Sequence, residues 1–388
     1  MSSSEFGQVS EEEKAANSEK TVNFLYPGSF SPITGAHKSA VEKLLQFGLF
    51  RGYSKVNVYI IPATNQYKKD SIFKDSSGDT KPDYLSEEAR EYFLELAIND
   101  INNRYKSNCK VIISKADFKY GAGHYKIGDD VSSKLMPTAF LAKNYNKDIA
   151  INGDSPAEKL LEDAANFDNA DTFLILGADN AYTDIVGWGD PKAILDNIQI
   201  LVIARGAKPS NPNRMVKTYY KLADGTTPSS PKTFEEVVAE RNAIYGNDYD
   251  LAAEMESKYK QLEFVVPEIS SSLLRKIVKD EEINVAEFDT VLTQLRTNDA
   301  SIRDSDEYIE GNKGNKGNKE DKGKVKSDKK EYVVGLLTPI PINLLTSTYE
   351  NNGNLSDASG GSKNRRKTRR INKKRKTMKK RRNYSKRR

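Results

Sequence analysis

A single cysteine in 388 residues removes whole classes of chemistry. The lone Cys109 excludes an intramolecular disulfide and any Cys-rich zinc site, and it fits a reducing compartment. No apolar run reaches the roughly 20 residues that a membrane-spanning helix needs. The longest candidate, 332–345, is short and carries Pro339 and Pro341. The first 20 residues are rich in Ser and Glu without a hydrophobic stretch, so they do not form a secretory signal. These absences predict a soluble intracellular protein, cytoplasmic or nuclear, that does not meet a membrane.

Acid is missing from one stretch in particular. Residues 363–388 hold seventeen Lys and Arg and no Asp or Glu, against a formal net charge of +6 for the whole chain, so residues 1–362 carry −11. The body is acidic and the end is a polycation. With only Tyr384 among the basic residues, this tail is suited to binding phosphate backbones without reading sequence, or to serving as a nuclear address. Non-specific nucleic acid is therefore one expected partner.

Composition divides the rest. Residues 1–20 hold little apolar surface and read as a disordered lead-in. Residues 21–297 carry the regular patterns of a folded domain, and 298–331 are a low-complexity linker in which Gly-Asn-Lys recurs three times. An apolar island follows at 332–348, too short for a domain and free to dock on the body or to bind something else. Residues 349–388 end the chain as a basic disordered tail.

Within the domain, β-prone runs at 22–26, 56–61, 110–113, 172–176, 198–204 and 264–266 alternate with helical patterns. Ser86 caps one helix, with Glu87 and Glu88 in its first turn, and Ser155 with Glu158 opens another. A charged helix over 234–262 is expected to break near Gly246, and closing helices are expected at 270–278 and 285–295. Strands separated by helices argue an α/β fold, a Rossmann-like doubly wound parallel sheet with helices on both faces. In the order 3-2-1-4-5-6, the loops after strands one and four flank one crevice at the carboxyl ends of the strands.

The first of those loops is the most distinctive stretch of the chain: residues 26–37 read Tyr-Pro-Gly-Ser-Phe-Ser-Pro-Ile-Thr-Gly-Ala-His. A strand leads in and an amphipathic helix leaves, so the loop lies at a helix N-terminus, where backbone N–H groups and the dipole favour phosphate. Gly28 is placed to let backbone approach an anion. It is not a P-loop, because Ala36 and His37 separate Gly35 from Lys38-Ser39. The Gly-x-Gly-x-x-Gly dinucleotide fingerprint is absent too. Thr34 and His37 instead offer a hydroxyl and an imidazole where charge on a transferring phosphate would develop.

Gly28, Phe30, Pro32, Thr34 and His37 match the pattern Gly-x-Phe-x-Pro-x-(His/Thr)-x-x-His. Ile269, Ser270, Ser271, Ser272 and Arg275 match Ile-Ser-Ser/Ala-Thr-x-x-Arg, with Ser272 where threonine is usual. Through these two motifs, some 230 residues apart, residues 22–296 resemble the nucleotidylyltransferases. The subfamily they look most like is the nicotinamide/nicotinate mononucleotide adenylyltransferases. The resemblance implies that ATP and a mononucleotide are joined to give NAD or its deamido form with release of pyrophosphate.

It also implies roles. His37 and Thr34 would hold the α and β phosphates, Ser271, Ser272 and Arg275 the leaving pyrophosphate, and the backbone of Gly28 and Ser29 the reacting centre, with Phe30 also among the residues binding ATP. Gly177 and Asp179 would bind ribose, Lys68 or Lys69 the acceptor phosphate, and Trp188 and Arg205 the rest of the acceptor. Magnesium would arrive on the ATP phosphates, since no carboxylate cluster adjoins the motifs. Bland readings stand beside several of these. Asp179 could simply cap a helix, Trp188 could pack in a core, and Lys68 and Lys69 could be solvated surface charges.

Where the family has a second aromatic after strand three, this chain has Ser114-Lys115-Ala116-Asp117-Phe118. That departure keeps another acceptor open, phosphopantetheine or a cytidylyltransferase reaction. So does a non-enzymatic nucleic-acid-binding role acting through the tail. The sequence also leaves a homo-oligomer open.

Overall fold

The computed structural model describes residues 6–63, 85–105, 108–114, 170–188, 191–204, 215–216, 232–246, 248–266, 269, 271–278, 334–335, 337–350 and 354–355. The patterns expected at 115–169, 205–214, 285–295 and 298–331, and the basic tail, lie outside them.

Six strands form one sheet: β1 (Thr21–Gly28), β2 (Lys55–Pro62), β3 (Cys109–Ile113), β4 (Ala170–Gly177), β5 (Gln199–Ala204) and β6 (Tyr259–Val265). Their order is β3-β2-β1-β4-β5-β6 and every neighbouring pair is parallel. This is the doubly wound arrangement, with its switch point between β1 and β4. Parallel strands covered on both faces read as continuous apolar runs, which is why the sequence betrays them.

The two faces bury different side chains of the same strands. On one face Phe24 and Tyr26 of β1, Val58 and Ile60 of β2 and Ile203 of β5 pack with α2 (Gly35–Phe50) and α3 (Glu87–Arg104). On the other, Leu25, Tyr59, Leu174 and Val202 pack with α4 (Pro191–Asn197), α5 (Phe234–Tyr245) and α6 (Leu251–Lys258). A polar row pins the register between them: Asn57 donates to Asn23 Oδ1 at 3.0 Å, and Asn23 reaches Thr172 Oγ1 at 3.5 Å. A one-residue slip of any of these strands would strand a buried amide.

Two expectations change, and a third, left open between two outcomes, is decided. Residues 1–20 are not all a disordered lead-in: α1 (Glu11–Asn17) is capped by Ser10, and Phe6 is 3% exposed in the core. Composition hides this helix because its partner is remote. Arg51 at the end of α2 donates to Glu13 at 2.6 Å, and Asn17 donates to the Arg51 carbonyl at 2.9 Å.

The charged helix does break at Gly246, the C-cap of α5, but its second half ends at Lys258 and β6 begins at Tyr259. Exposed Lys260, Gln261 and Glu263 alternate with buried Leu262 and Phe264, the pattern of an edge strand with one covered face. The charges mask its alternation.

The apolar island docks on the body. Val334, Leu337, Ile340 and Leu345 enter the core cluster that holds Phe30 and Ile33, and Ile342–Glu350 forms a helix, α8, against α7 (Ser271–Val278). Each such burial is worth about 1.5–3 kcal/mol over exposure. Among the described residues no helix is long and apolar enough to cross a membrane.

Candidate functional site

The loop between β1 and α2 is held in a conformation that few sequences would adopt unaided. Phe30 has φ +45°, a region unfavourable for a bulky residue that costs on the order of 1–3 kcal/mol and persists only when the surroundings hold it. Here they do: its buried ring meets Tyr26 edge-on at 5.5 Å and His37 at 5.0 Å. Gly28 is explained by the same ring, since a Cβ there would lie 2.9 Å from it. The glycine thus makes room for Phe30, whose side chain packs in the core.

Thr34 is the N-cap of α2 and is 0% exposed. Its hydroxyl oxygen accepts from the His37 backbone N–H at 3.4 Å and lies 2.8 Å from His37 Nδ1, while the Thr34 backbone N–H donates to that same Nδ1 at 3.1 Å. A backbone N–H can only donate, so Nδ1 is an acceptor and the proton of the neutral ring sits on Nε2. Thr34 therefore sets the tautomer and orientation of His37. The hydroxyl that the motif offered to phosphate is turned toward His37.

The second motif reaches this loop from across the chain. Ser271, at the start of α7, donates to the Pro32 carbonyl at 2.8 Å, and Arg275, one turn later on the same face, donates to the Ser31 carbonyl at 2.6 Å. The Ser271 hydroxyl is thereby a brace for the loop. Only one of the five guanidinium N–H donors is needed for the Ser31 bond. Ser272 lies in α7, with its side chain outside the described residues, as is Ser270.

Two helix N-termini, those of α2 and α7, thus share one loop, each carrying roughly half a positive charge from its dipole. Neither has an acid in its first turn, whereas α1, α3 and α5 each begin with glutamates. A helix N-terminus of this kind, with no acid in its own first turn, is a favourable place for an anion.

One contributor escaped the sequence. Arg90 of α3 is 0% exposed and donates to the Ser29 carbonyl at 2.9 Å and to the Ala63 carbonyl, tying the loop after β1 to the chain leaving β2. Its position between Ala89 and Phe93 on the buried stripe was the available signal. Ser29 itself is exposed.

Across the switch point, β4 ends at Gly177 and the chain turns through Ala178 and Asp179 into a short π turn, Asn180–Asp184. Asp179 makes no capping bond, which removes its bland reading. Its Oδ1 is buried with no hydrogen-bond partner among the described residues.

Trp188 goes the other way. It is 8% exposed, packs in the second core cluster, and its carbonyl accepts from Arg241 Nη2 at 2.7 Å. The packing reading fits this ring. Lys68, Lys69 and Arg205 lie outside the described residues. Among the described residues no group of three or more His, Cys, Asp or Glu is placed to hold a metal ion.

No protein-family model and no curated protein matches the chain. Among solved structures it is similar to Plasmodium falciparum nicotinic acid mononucleotide adenylyltransferase complexed with APC, at TM-score 0.34 and 15% identity over 67% of this chain and 84% of that one. The same enzyme complexed with NaAD is similar at TM-score 0.35 and 15% identity over 70% and 90%.

Proposed function

We propose that the chain is an adenylyltransferase that joins ATP to nicotinamide or nicotinate mononucleotide. The observation that carries this reading is the seating of Ser271 and Arg275 on the Pro32 and Ser31 carbonyls, which unites the two motifs in one anion-favouring loop beside His37.

The 5′-phosphate oxygen of the mononucleotide attacks the α-phosphorus of ATP. A new P–O bond forms, the bond to the bridging oxygen breaks, and pyrophosphate leaves with the electron pair. The acceptor phosphate is already ionised near neutral pH, its second pKa being about 6, so no general base is needed. Catalysis is then positioning and stabilisation of charge.

His37, presenting Nε2–H, donates to an oxygen of the reacting phosphates. Arg275 spreads positive charge over the departing pyrophosphate, and the N-termini of α2 and α7 add their dipoles. Asp179 accepts from a ribose hydroxyl. Magnesium accompanies ATP as part of the substrate, because the residues around the loop supply hydroxyls, an imidazole and a guanidinium rather than a carboxylate cluster.

A second reading keeps the reaction and changes the acceptor. It is favoured by the packing of Trp188 in the second core cluster. Purified protein given magnesium and ATP with nicotinamide mononucleotide, nicotinate mononucleotide or phosphopantetheine, scored by pyrophosphate release, separates the two. Release with a pyridine mononucleotide supports the first reading, and release with phosphopantetheine alone replaces it with the second. Release with none removes both.

A further inference from the structure

The loop after β1 is gripped by its carbonyls. Those of Ser29, Ser31 and Pro32 accept from Arg90, Arg275 and Ser271, and the next, Ile33, accepts from the Thr338 hydroxyl at 2.7 Å. Thr338 lies 305 positions downstream, is 3% exposed, and belongs to the docked C-terminal segment. Its own backbone N–H donates to the Val334 carbonyl at 3.0 Å, and its oxygen accepts from the Ile340 N–H at 3.3 Å. The hydroxyl is thus fixed by the segment that carries it, and Val334, Leu337, Ile340 and Leu345 fix that segment in the core.

The carbonyl of Ile33 and the N–H of Thr34 are two ends of one rigid peptide plane, and in a trans peptide they point in opposite directions. Thr338 holds the oxygen end. The hydrogen end is the bond from the Thr34 N–H to His37 Nδ1, 3.1 Å long. Rotation of that plane would swing the N–H away from the imidazole. A hydrogen bond on the carbonyl also polarises the amide and strengthens its N–H as a donor.

We propose that Thr338 is a positioning residue for His37, acting through the Ile33–Thr34 peptide to keep the imidazole in its Nε2–H tautomer. The C-terminal segment is then part of the site's machinery, although it follows a long low-complexity stretch of sequence and touches no reacting atom. The proposal goes beyond the reaction assigned above. Its turnover arm rests on that reading, and its spectroscopic arm does not.

The test uses the full-length protein with 15N-labelled histidine. The chain has only two histidines, His37 and His124, and a His124→Gln companion assigns the signals. Thr338→Val keeps the shape and removes the donor, while Thr338→Ser keeps the donor. Thr338→Ala replaces the valine variant should that one not fold. The wild type and Thr338→Ser are expected to show His37 in one tautomer, with the proton on Nε2, and Thr338→Val to show exchange between tautomers. Turnover with ATP should fall about tenfold in Thr338→Val, with the KM for ATP within twofold, and Thr338→Ser should restore it.

Unchanged ring signals in a folded Thr338→Val or Thr338→Ala protein overturn the proposal, whatever the turnover. A changed tautomer in a protein that releases no pyrophosphate with any acceptor upholds it and overturns the function proposed above instead.

Discussion

The Arg275 guanidinium donates to the Ser31 carbonyl across 2.6 Å and 244 positions of sequence, so the two motifs are one structure before any substrate arrives. Arg275→Ala should lower adenylyl transfer by about 10²-fold or more, the scale for losing one preorganised donor to a developing charge. Arg275→Lys should recover only part, because an ammonium lacks the fork that can hold a carbonyl and a phosphate together. Steady-state rates of the two variants check this, and turnover within twofold of wild type in Arg275→Ala would remove Arg275 from the site.

Arg90 holds the Ser29 and Ala63 carbonyls from beneath the loop. Arg90→Leu leaves these acceptors without their donor and should destabilise the fold by about 1–3 kcal/mol. The urea midpoint measures it, and an unchanged midpoint would show that the loop keeps its place without this brace.

How far the sequence carries depends on where each signal lives. The sheet was legible because buried parallel strands are apolar along their length and the helices between them keep their own period. Thr34 and His37 were legible as polar groups three apart at a helix start, although not as its capping box. The direction of the Thr34 hydroxyl was not, because only tertiary structure decides whether a cap faces solvent or core. Arg90 reads as a surface residue until its stripe is seen to be buried.

Phe6, α1 and Thr338 were illegible for another reason. Each is short and finds its partners across the chain, as Thr338 does at Ile33. No local pattern encodes such a contact.

Stability should fall at alkaline pH. Burial pushes the Cys109 thiol up from 9.0 to about 11. The Tyr53 phenol is raised by burial and then by its hydrogen bond to Asp171, and Tyr259 by burial and then by Tyr182. The unfolded chain releases these protons before the fold does, so the Cys109 contribution is complete below about pH 9 and is lost as pH rises through about 11, while those of Tyr53 and Tyr259 begin to fall above about pH 10 and go on falling beyond 11. The urea midpoint should hold steady from pH 7 to 8.5 and decline above 9, with Tyr53→Phe flattening part of the decline. A midpoint that rises between pH 9 and 11 would contradict the assignment.

The polycationic end predicts a separable property. Removing residues 363–388 should abolish salt-sensitive binding of duplex DNA, measured by fluorescence anisotropy across a salt series, and leave adenylyl transfer unchanged. Equal loss of turnover would place the tail in the active site.

The account turns on His37 as the donor to a transferring phosphate. Its most direct test is pyrophosphate release from ATP, magnesium and nicotinamide or nicotinate mononucleotide by the wild type and by His37→Ala side by side, with both shown to be folded. The account predicts release by the wild type and a loss of about 10²-fold or more in the variant. Equal release by the two proteins would contradict it.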